Sequence, residues 1–424
     1  MRTLRFRKSA FVASFVAMLA GAALVMACAG LLETGLRSTG DAESAERITI
    51  LASVFSSWTT LATLFGVSST IALTVLHRRQ EIALLRAIGT TGQQVRRMVV
   101  GETMVLAVVA AALAYLPSRY LGGRLFDLLA DNGVIAPTMQ FSQSWLSTLA
   151  GAGVTLGAAL GAALIASRRG ARTPPVLALA EVTTDTGRLG RVRVVFALLS
   201  IATGLSLGVV TALSVSGPYT AATAGPAGIW VCIGLALLAP AIVRGVLPRS
   251  SGALAIQQAR VQFRQLAAAV VPVVMLAGIG LSTLYMQATE DFRDATLATA
   301  NYAVVSMIIG FAALTTVNTL VAATSQRRRE LGLLRLSGCT RGQVLRTMGA
   351  EGLLVAAIGL GLGAIASLAT VVPFSLAKRD SVLPSGSPWI LVAVVGFVGV
   401  ITLIGTLWPA WRGLRGGPIA ALGR

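Results

Sequence analysis

Arg78-Arg79-Gln80-Glu81-Ile82-Ala83-Leu84-Leu85-Arg86-Ala87-Ile88-Gly89 decides how this chain is read, because it comes back. It returns as Arg327-Arg328-Arg329-Glu330-Leu331-Gly332-Leu333-Leu334-Arg335-Leu336-Ser337-Gly338. With Glu81 set on Glu330, an offset of 249, twelve of the twenty-five positions from Arg78 to Glu102 match those from Arg327 to Glu351, with no gap. They are Arg78, Arg79, Glu81, Leu84, Leu85, Arg86, Gly89, Thr91, Gln94, Val95, Arg97 and Glu102. Each copy follows one long apolar run and precedes another. A repeat of this length sets the architecture and has to be read before anything else.

Those apolar runs fix the class. The chain has 424 residues, 55% hydrophobic and 12% charged, with a mean hydropathy of +0.79. A soluble domain carries about 25% charged residues. Runs near the ~20 residues needed to cross a bilayer recur ten times, over residues 10–32, 49–76, 98–120, 145–167, 194–215, 222–243, 266–287, 298–324, 347–373 and 389–411. The expectation is an all-α polytopic membrane protein. The short alternating segments of a transmembrane barrel look different.

The net charge of +19 does not point to nucleic acid, because topology sorts it. With the N-terminus cytoplasmic, the inner segments hold 28 Lys and Arg against 6 Asp and Glu, and the outer segments 7 against 10. That is +22 inside and −3 outside, as the positive-inside rule requires. Ten spans then place both termini in the cytoplasm, and a bacterial plasma membrane is expected. Arg2, Arg5, Arg7 and Lys8 ahead of an apolar stretch ending at Cys28 also fit a lipoprotein signal. Cleavage there would leave nine spans and upset the charge sorting, so an uncleaved first span is expected. Cys28 and Cys232 fall in apolar spans and Cys339 in a cytoplasmic segment, so no disulfide framework is expected.

The organisation that follows is a four-span unit over 1–171, a linker with two linking spans over 172–250, and a second four-span unit over 251–424. Even numbers of spans separate equivalent points, so the units are parallel repeats, unlike the inverted repeats of many transporters. Trp145 and Trp389 each open the last span of a unit, where aromatic rings favour the interface. Arg172-Thr173-Pro174-Pro175-Val176 echoes Gly416-Gly417-Pro418-Ile419 after the last span of each unit. Outer segments are short. The longest, 121–144, carries Gly122-Gly123 and Asp131-Asn132-Gly133 as turn signals.

Within each duplicated element Ile82, Leu85 and Ile88, with Leu84 alongside, mark an apolar helical stripe, and Arg78, Arg79, Glu81 and Arg86 lie off it. Gly89 and Gly338 supply the left-handed residue that ends a helix. Thr91 with Gln94, and Thr340 with Gln343, have capping-box spacing. A new helix is expected to start there and run into the next span. A basic loop lying on lipid headgroups needs only positive charge. It does not need a glutamate, a Leu-Leu pair, an elbow glycine and a capping box at fixed spacing.

The pattern Arg-Arg-x-Glu-[Ile/Leu]-x-Leu-Leu-Arg-x-x-Gly-x-Thr resembles that of FtsX-like permeases, the membrane subunits of MacB-type ABC systems. The resemblance is specific at the two cytoplasmic elements. It implies that Arg78, Arg79, Glu81, Leu84, Leu85, Arg86 and Gly89, and Arg327, Arg328, Glu330, Leu333, Leu334, Arg335 and Gly338, belong to coupling helices that dock on ATP-binding subunits. ATP and Mg²⁺ would then be held by the partner, with no cofactor or metal on this chain. Two elements in one chain imply two ATPase copies per permease. The other partner is membrane lipid. The implied activity is export of a lipophilic or amphipathic substrate. The alternative is a mechanical transmitter that regulates a cell-wall hydrolase or sensor without transport. The ATPase is expected on a separate chain, since Lys8 and Lys378 are the only lysines of this sequence and no phosphate-binding Gly-x-x-x-x-Gly-Lys loop can be written in it. The large outer domain of many relatives, including the ten-span peptide-antibiotic resistance permeases, is also missing.

Enzyme chemistry has no candidate constellation. His77, the single histidine, is read as interfacial. Glu102 and Glu351 are equivalent acids at inner span ends, where an acid asks for a role. They are expected to pair with bases such as Arg97 and Arg346, not to relay protons. Gly153, Gly157 and Gly161, and Gly359, Gly363 and Ser367, are spaced as helix-packing ladders. The second and eighth spans exceed a simple crossing, by tilt or by projecting outward.

Overall fold

The computed structural model describes residues 8–38, 42–136, 138–172, 190–214, 220–246, 263–290 and 295–415. The described residues form twelve helices and no strand. They are α1 (Lys8–Arg37), α2 (Ala42–His77), α3 (Arg79–Ala87), α4 (Gly92–Asp131), α5 (Trp145–Arg172), α6 (Arg191–Ser214), α7 (Thr220–Val246), α8 (Phe263–Thr289), α9 (Ala295–Gln326), α10 (Arg328–Leu336), α11 (Arg341–Arg379) and α12 (Pro388–Arg415). Ten of them, all but α3 and α10, are long and apolar enough to cross a membrane. In hydrocarbon a helix satisfies its own backbone, which is why apolar runs of this length fold this way. The protein is a multi-pass membrane protein.

Helices α1, α2, α4 and α5 pack on one another, and α8, α9, α11 and α12 do the same. The two groups meet through α9, which touches α1, α2 and α4. The linking pair α6–α7 breaks this evenness. Helix α7 inserts between α2 of the first group and α8 and α11 of the second. Glycines make the insertion tight: a Cβ on Gly225 would strike the Trp58 ring of α2, and one on Gly228 would strike Thr370 of α11. Gly204 and Gly234 bring α6 and α7 together in the same way. The most enclosed span is α8, with 83% of its apolar window buried against 22% for α12.

The expected helix-packing ladders divide. Gly359 of α11 abuts Val273 of α8, and Gly363 abuts Ala277 and Gly278. A Cβ on Gly153, Gly157 or Gly161 of α5 would meet nothing within 4 Å. The glycine of α5 that does carry a close approach is Gly151, against Met26 of α1. Spacing marks a stripe but does not say whether a neighbour covers it.

The outer segment also differs from expectation. Gly122 and Gly123 are inside α4, not in a turn, because α4 continues to Asp131 on the buried residues Leu125, Phe126 and Leu129. Gly122 lies against the Phe141 ring. The chain turns at Asn132–Gly133, where Gly133 has φ +68°. The following segment is fastened over the first group: Thr34 Oγ1 donates to the Ser142 carbonyl at 3.1 Å, and Ala136 N donates to Ser44 Oγ at 3.0 Å. Trp145 and Trp389 stand exposed at the starts of α5 and α12, as an interfacial position requires. Cys28, Cys232 and Cys339 are unpaired. The Pro174-Pro175 linker and Gly416–Ile419 lie outside the described residues.

Candidate functional site

Both duplicated elements fold to one layout. Helix α2 ends at His77, Arg78 makes a single-residue break, and α3 begins at Arg79. Helix α9 ends at Gln326, Arg327 makes the break, and α10 begins at Arg328. The two arginines have almost the same backbone, φ −89° and ψ 8° for Arg78, φ −81° and ψ 11° for Arg327. Each break is a tight turn, with Arg78 N donating to the Val75 carbonyl and Arg327 N to the Thr324 carbonyl, both at 3.1 Å.

Each short helix stops in the same way. Gly89 takes φ +101° and Gly338 φ +94°. Gly89 N bonds the Arg86 carbonyl and Thr90 N the Leu85 carbonyl, and Gly338 and Cys339 repeat the pattern on Arg335 and Leu334. This is the Schellman ending that the elbow glycine announces. The capping boxes are present in full. Thr91 Oγ1 accepts from Gln94 N while Gln94 Oε1 accepts from Thr91 N, and Thr340 and Gln343 do the same. From these caps α4 runs 40 residues and α11 39 residues without interruption.

The two elements lie at the same end of the bundle. Ser14 near the start of α1 bonds Thr74 near the end of α2 at 2.9 Å. Asn318 near the end of α9 donates to the carbonyl of Ala13 in α1. The ends of α2 and α9 are therefore level with the start of α1.

The expected apolar stripe splits into two faces. Ile82 is buried among Val75, Val95 and Val99, and Leu331 among Val344, Met348, Ala410 and Leu414. Leu334 packs on the second of these clusters. Leu84 and Leu333 point away, 61% and 56% exposed, with Ile88 and Leu336 also exposed. Each short helix is thus anchored by one face and offers the other.

The charged residues divide likewise. Arg78 Nη1 donates to Glu102 Oε2 at 2.5 Å. Arg327 Nη1 donates to Glu351 Oε2 at 2.5 Å, and its Nε donates to Glu330 Oε2 at 3.0 Å. The expected partners of the two acids were Arg97 and Arg346. Those lie five residues earlier on the same helix, about 140° around it at 3.6 residues per turn. The arginines at the helix breaks reach the acids instead. Burial works against the Arg327 charge, but its hydrogen bond to Glu351, their attraction and then Glu330 outweigh it and hold its pKa above the usual arginine value. Arg335 Nη1 donates to the Leu414 carbonyl at 3.2 Å, tying α10 to the end of α12. Leu85 and Arg86 are half-buried. The side chains of His77, Arg79, Glu81 and Arg328 lie outside the described residues. The spacing that could have revealed the pairs was on view: 24 residues separate arginine from acid in both copies, and both ends are among the matching positions.

Residues 53–175 and 302–418 each match the FtsX-like permease C-terminal family. The chain belongs to the FtsX-like permease family. Each match contains one duplicated element and the two spans that follow it. Among curated relatives, a macrolide export ATP-binding/permease protein MacB of Hahella chejuensis is 30% identical over 132 residues, 30% of this chain and 19% of that protein. The lipoprotein-releasing system transmembrane protein LolC of Haemophilus influenzae is 32% identical over 124 residues, 28% of this chain and 32% of that protein. A MacB of Campylobacter jejuni is 27% identical over 138 residues, 32% of this chain and 21% of that protein. The aligned parts thus span about a fifth to a third of these relatives. The family is that of a membrane subunit, and among the described residues no group of His, Cys, Asp and Glu could hold a metal ion.

Proposed function

We propose that this FtsX-like permease is the membrane subunit of an ABC transporter, driven by separate cytoplasmic ATPase subunits that bind ATP and Mg²⁺. The observation that carries the reading is the doubled short helix. At one end of the bundle α3 and α10 each bury Ile82 or Leu331 and expose Leu84 or Leu333. An exposed apolar patch rimmed by charge suits a protein partner. Two such helices in one chain supply two docking points, one per ATPase subunit. Charge sorting supports a cytoplasmic position for them and for both termini.

The cargo of this reading is lipophilic or amphipathic, and the direction is outward. A narrow apolar cleft, with room for only about one water molecule, lies between α1, α2, α4 and α9. Leu31, Leu51, Phe55 and Leu129 line it, with Asn301 the polar exception. The cleft is too small to hold a cargo, so the cargo and its direction rest on the family resemblance.

The test is co-purification in mild detergent. The full chain should carry an ATPase at two copies per permease, and the Glu81→Arg, Glu330→Arg double variant should insert normally yet lose it. Unchanged co-purification by that variant would sink the docking assignment. In liposomes, transport should show as ATP-dependent export of a co-purified lipophilic molecule. ATPase-dependent activation of a partner without flux would instead favour mechanical signalling.

A further inference from the structure

We infer that the pairs Arg78–Glu102 and Arg327–Glu351 are struts that carry movement of the short helices into the spans that follow them. The inference rests on α3 and α10 being the docking elements. Each of these helices is joined to its neighbouring spans through two short connections. One is the single-residue break at Arg78 or Arg327. The other is the glycine elbow, where a Cβ would meet nothing within 4 Å. A short helix held only by two such points would swing without moving its neighbours.

The strut removes that slack. The break residue belongs to the end of α2 and the start of α3 alike. Its guanidinium bypasses the elbow and grips α4 at Glu102, eleven residues past the Thr91 cap, or about 16 Å up the helix at 1.5 Å per residue. Arg327 grips α11 at Glu351 in the same way. Leu331 anchors the buried face of α10, Arg335 ties it to α12, and Arg327 fixes its first turn. Push on the exposed face would then turn the short helix and the foot of the next span as one body.

Two observations set this apart from an ordinary interfacial charge. The geometry recurs at the same 24-residue separation and the same 2.5 Å in both units. The arginine side chains are also withdrawn, 12% and 16% exposed, where a positive-inside signal would be served by a solvated base. The second strut is the more enclosed. Glu351 is 9% exposed against 29% for Glu102, and Arg327 meets both its carboxylate oxygens, at 2.5 and 3.4 Å. Opposite charges brought together in a poorly hydrated site attract more strongly than on an open surface.

The experiment uses the full chain with the ATPase that co-purifies with it, reconstituted in liposomes. Its readout is the stimulation of ATPase rate by the permease, measured beside the ATPase bound per permease and the apparent Tm. The double variant Glu102→Gln, Glu351→Gln should bind the ATPase at the wild-type ratio and melt within a few degrees of wild type, but lose at least fivefold of the stimulation. Exchange of the pair in the first unit, Arg78→Glu with Glu102→Arg, should stimulate at least twice as well as Glu102→Arg alone. Arg327→Lys, which keeps the charge but not the fork, should fall between wild type and the Gln variant. Wild-type stimulation by the double Gln variant overturns the strut, and so does a loss that merely follows lost ATPase. A wild-type chain that binds no ATPase overturns the docking reading itself, before any strut variant is made.

Discussion

Gly225 of α7 lies so close to the indole of Trp58 in α2 that no Cβ fits between them. Trp58 is 1% exposed and among the largest fully buried side chains. This contact joins the linking spans to the first unit. It is backbone against ring, so neither side can yield cheaply. Gly225→Val should lower stability by about 1–3 kcal/mol, the usual cost of overpacking. Gly157→Ala on α5, where the space is open, should cost nothing measurable. Thermal unfolding of both variants in detergent checks the contrast, and equal melting temperatures would contradict it.

The elbows make a second expectation. Gly89 and Gly338 hold φ values of +101° and +94°. A side chain there meets no neighbour but strains its own backbone, at roughly 1–2 kcal/mol per residue. Gly89→Ala and Gly338→Ala should speed amide hydrogen exchange at Thr90 and Cys339, whose N–H groups close the Schellman endings. Exchange elsewhere in the bundle should stay as it is. Unchanged exchange at those two amides would show that the elbow tolerates a Cβ.

Apolar residues two positions apart on one short helix should behave oppositely. Ile82→Glu or Leu331→Glu buries an unpaired carboxylate and should destabilise the protein by several kcal/mol or block its accumulation. Leu84→Glu or Leu333→Glu changes an exposed position and should leave the melting temperature within a degree or two. The second pair should nevertheless cut ATPase co-purification at least tenfold. Measuring yield, Tm and bound ATPase on the four variants separates anchoring from docking.

Much of the candidate site was legible because its signals are local. An elbow glycine, a threonine and a glutamine three residues later define their hydrogen bonds within one or two turns. Doubling made the same signals unmistakable. The pairing of Glu102 was not legible from its neighbours. Arg97 is nearer in sequence, but the helix turns it to another side, and the true partner arrives from across the elbow. The stripe of Ile82, Leu84, Leu85 and Ile88 was visible as apolar but not as two-faced. Which of these residues is covered depends on α4, and in the second copy on α11 and α12, which follow later in the chain.

Sequence by itself determined ten apolar spans, the doubled element and its caps, because each follows from hydropathy or backbone geometry over a few residues. Tertiary structure alone decided which glycines bear contacts. Gly153, Gly157 and Gly161 are spaced as a ladder and stand open, while Gly225 and Gly228 seat α7 between the two groups. It also decided that α4 runs through Gly122 and Gly123, held by Leu125, Phe126, Leu129 and the Phe141 ring. Spacing along one helix says which residues share a face. Only the other helices say what that face meets.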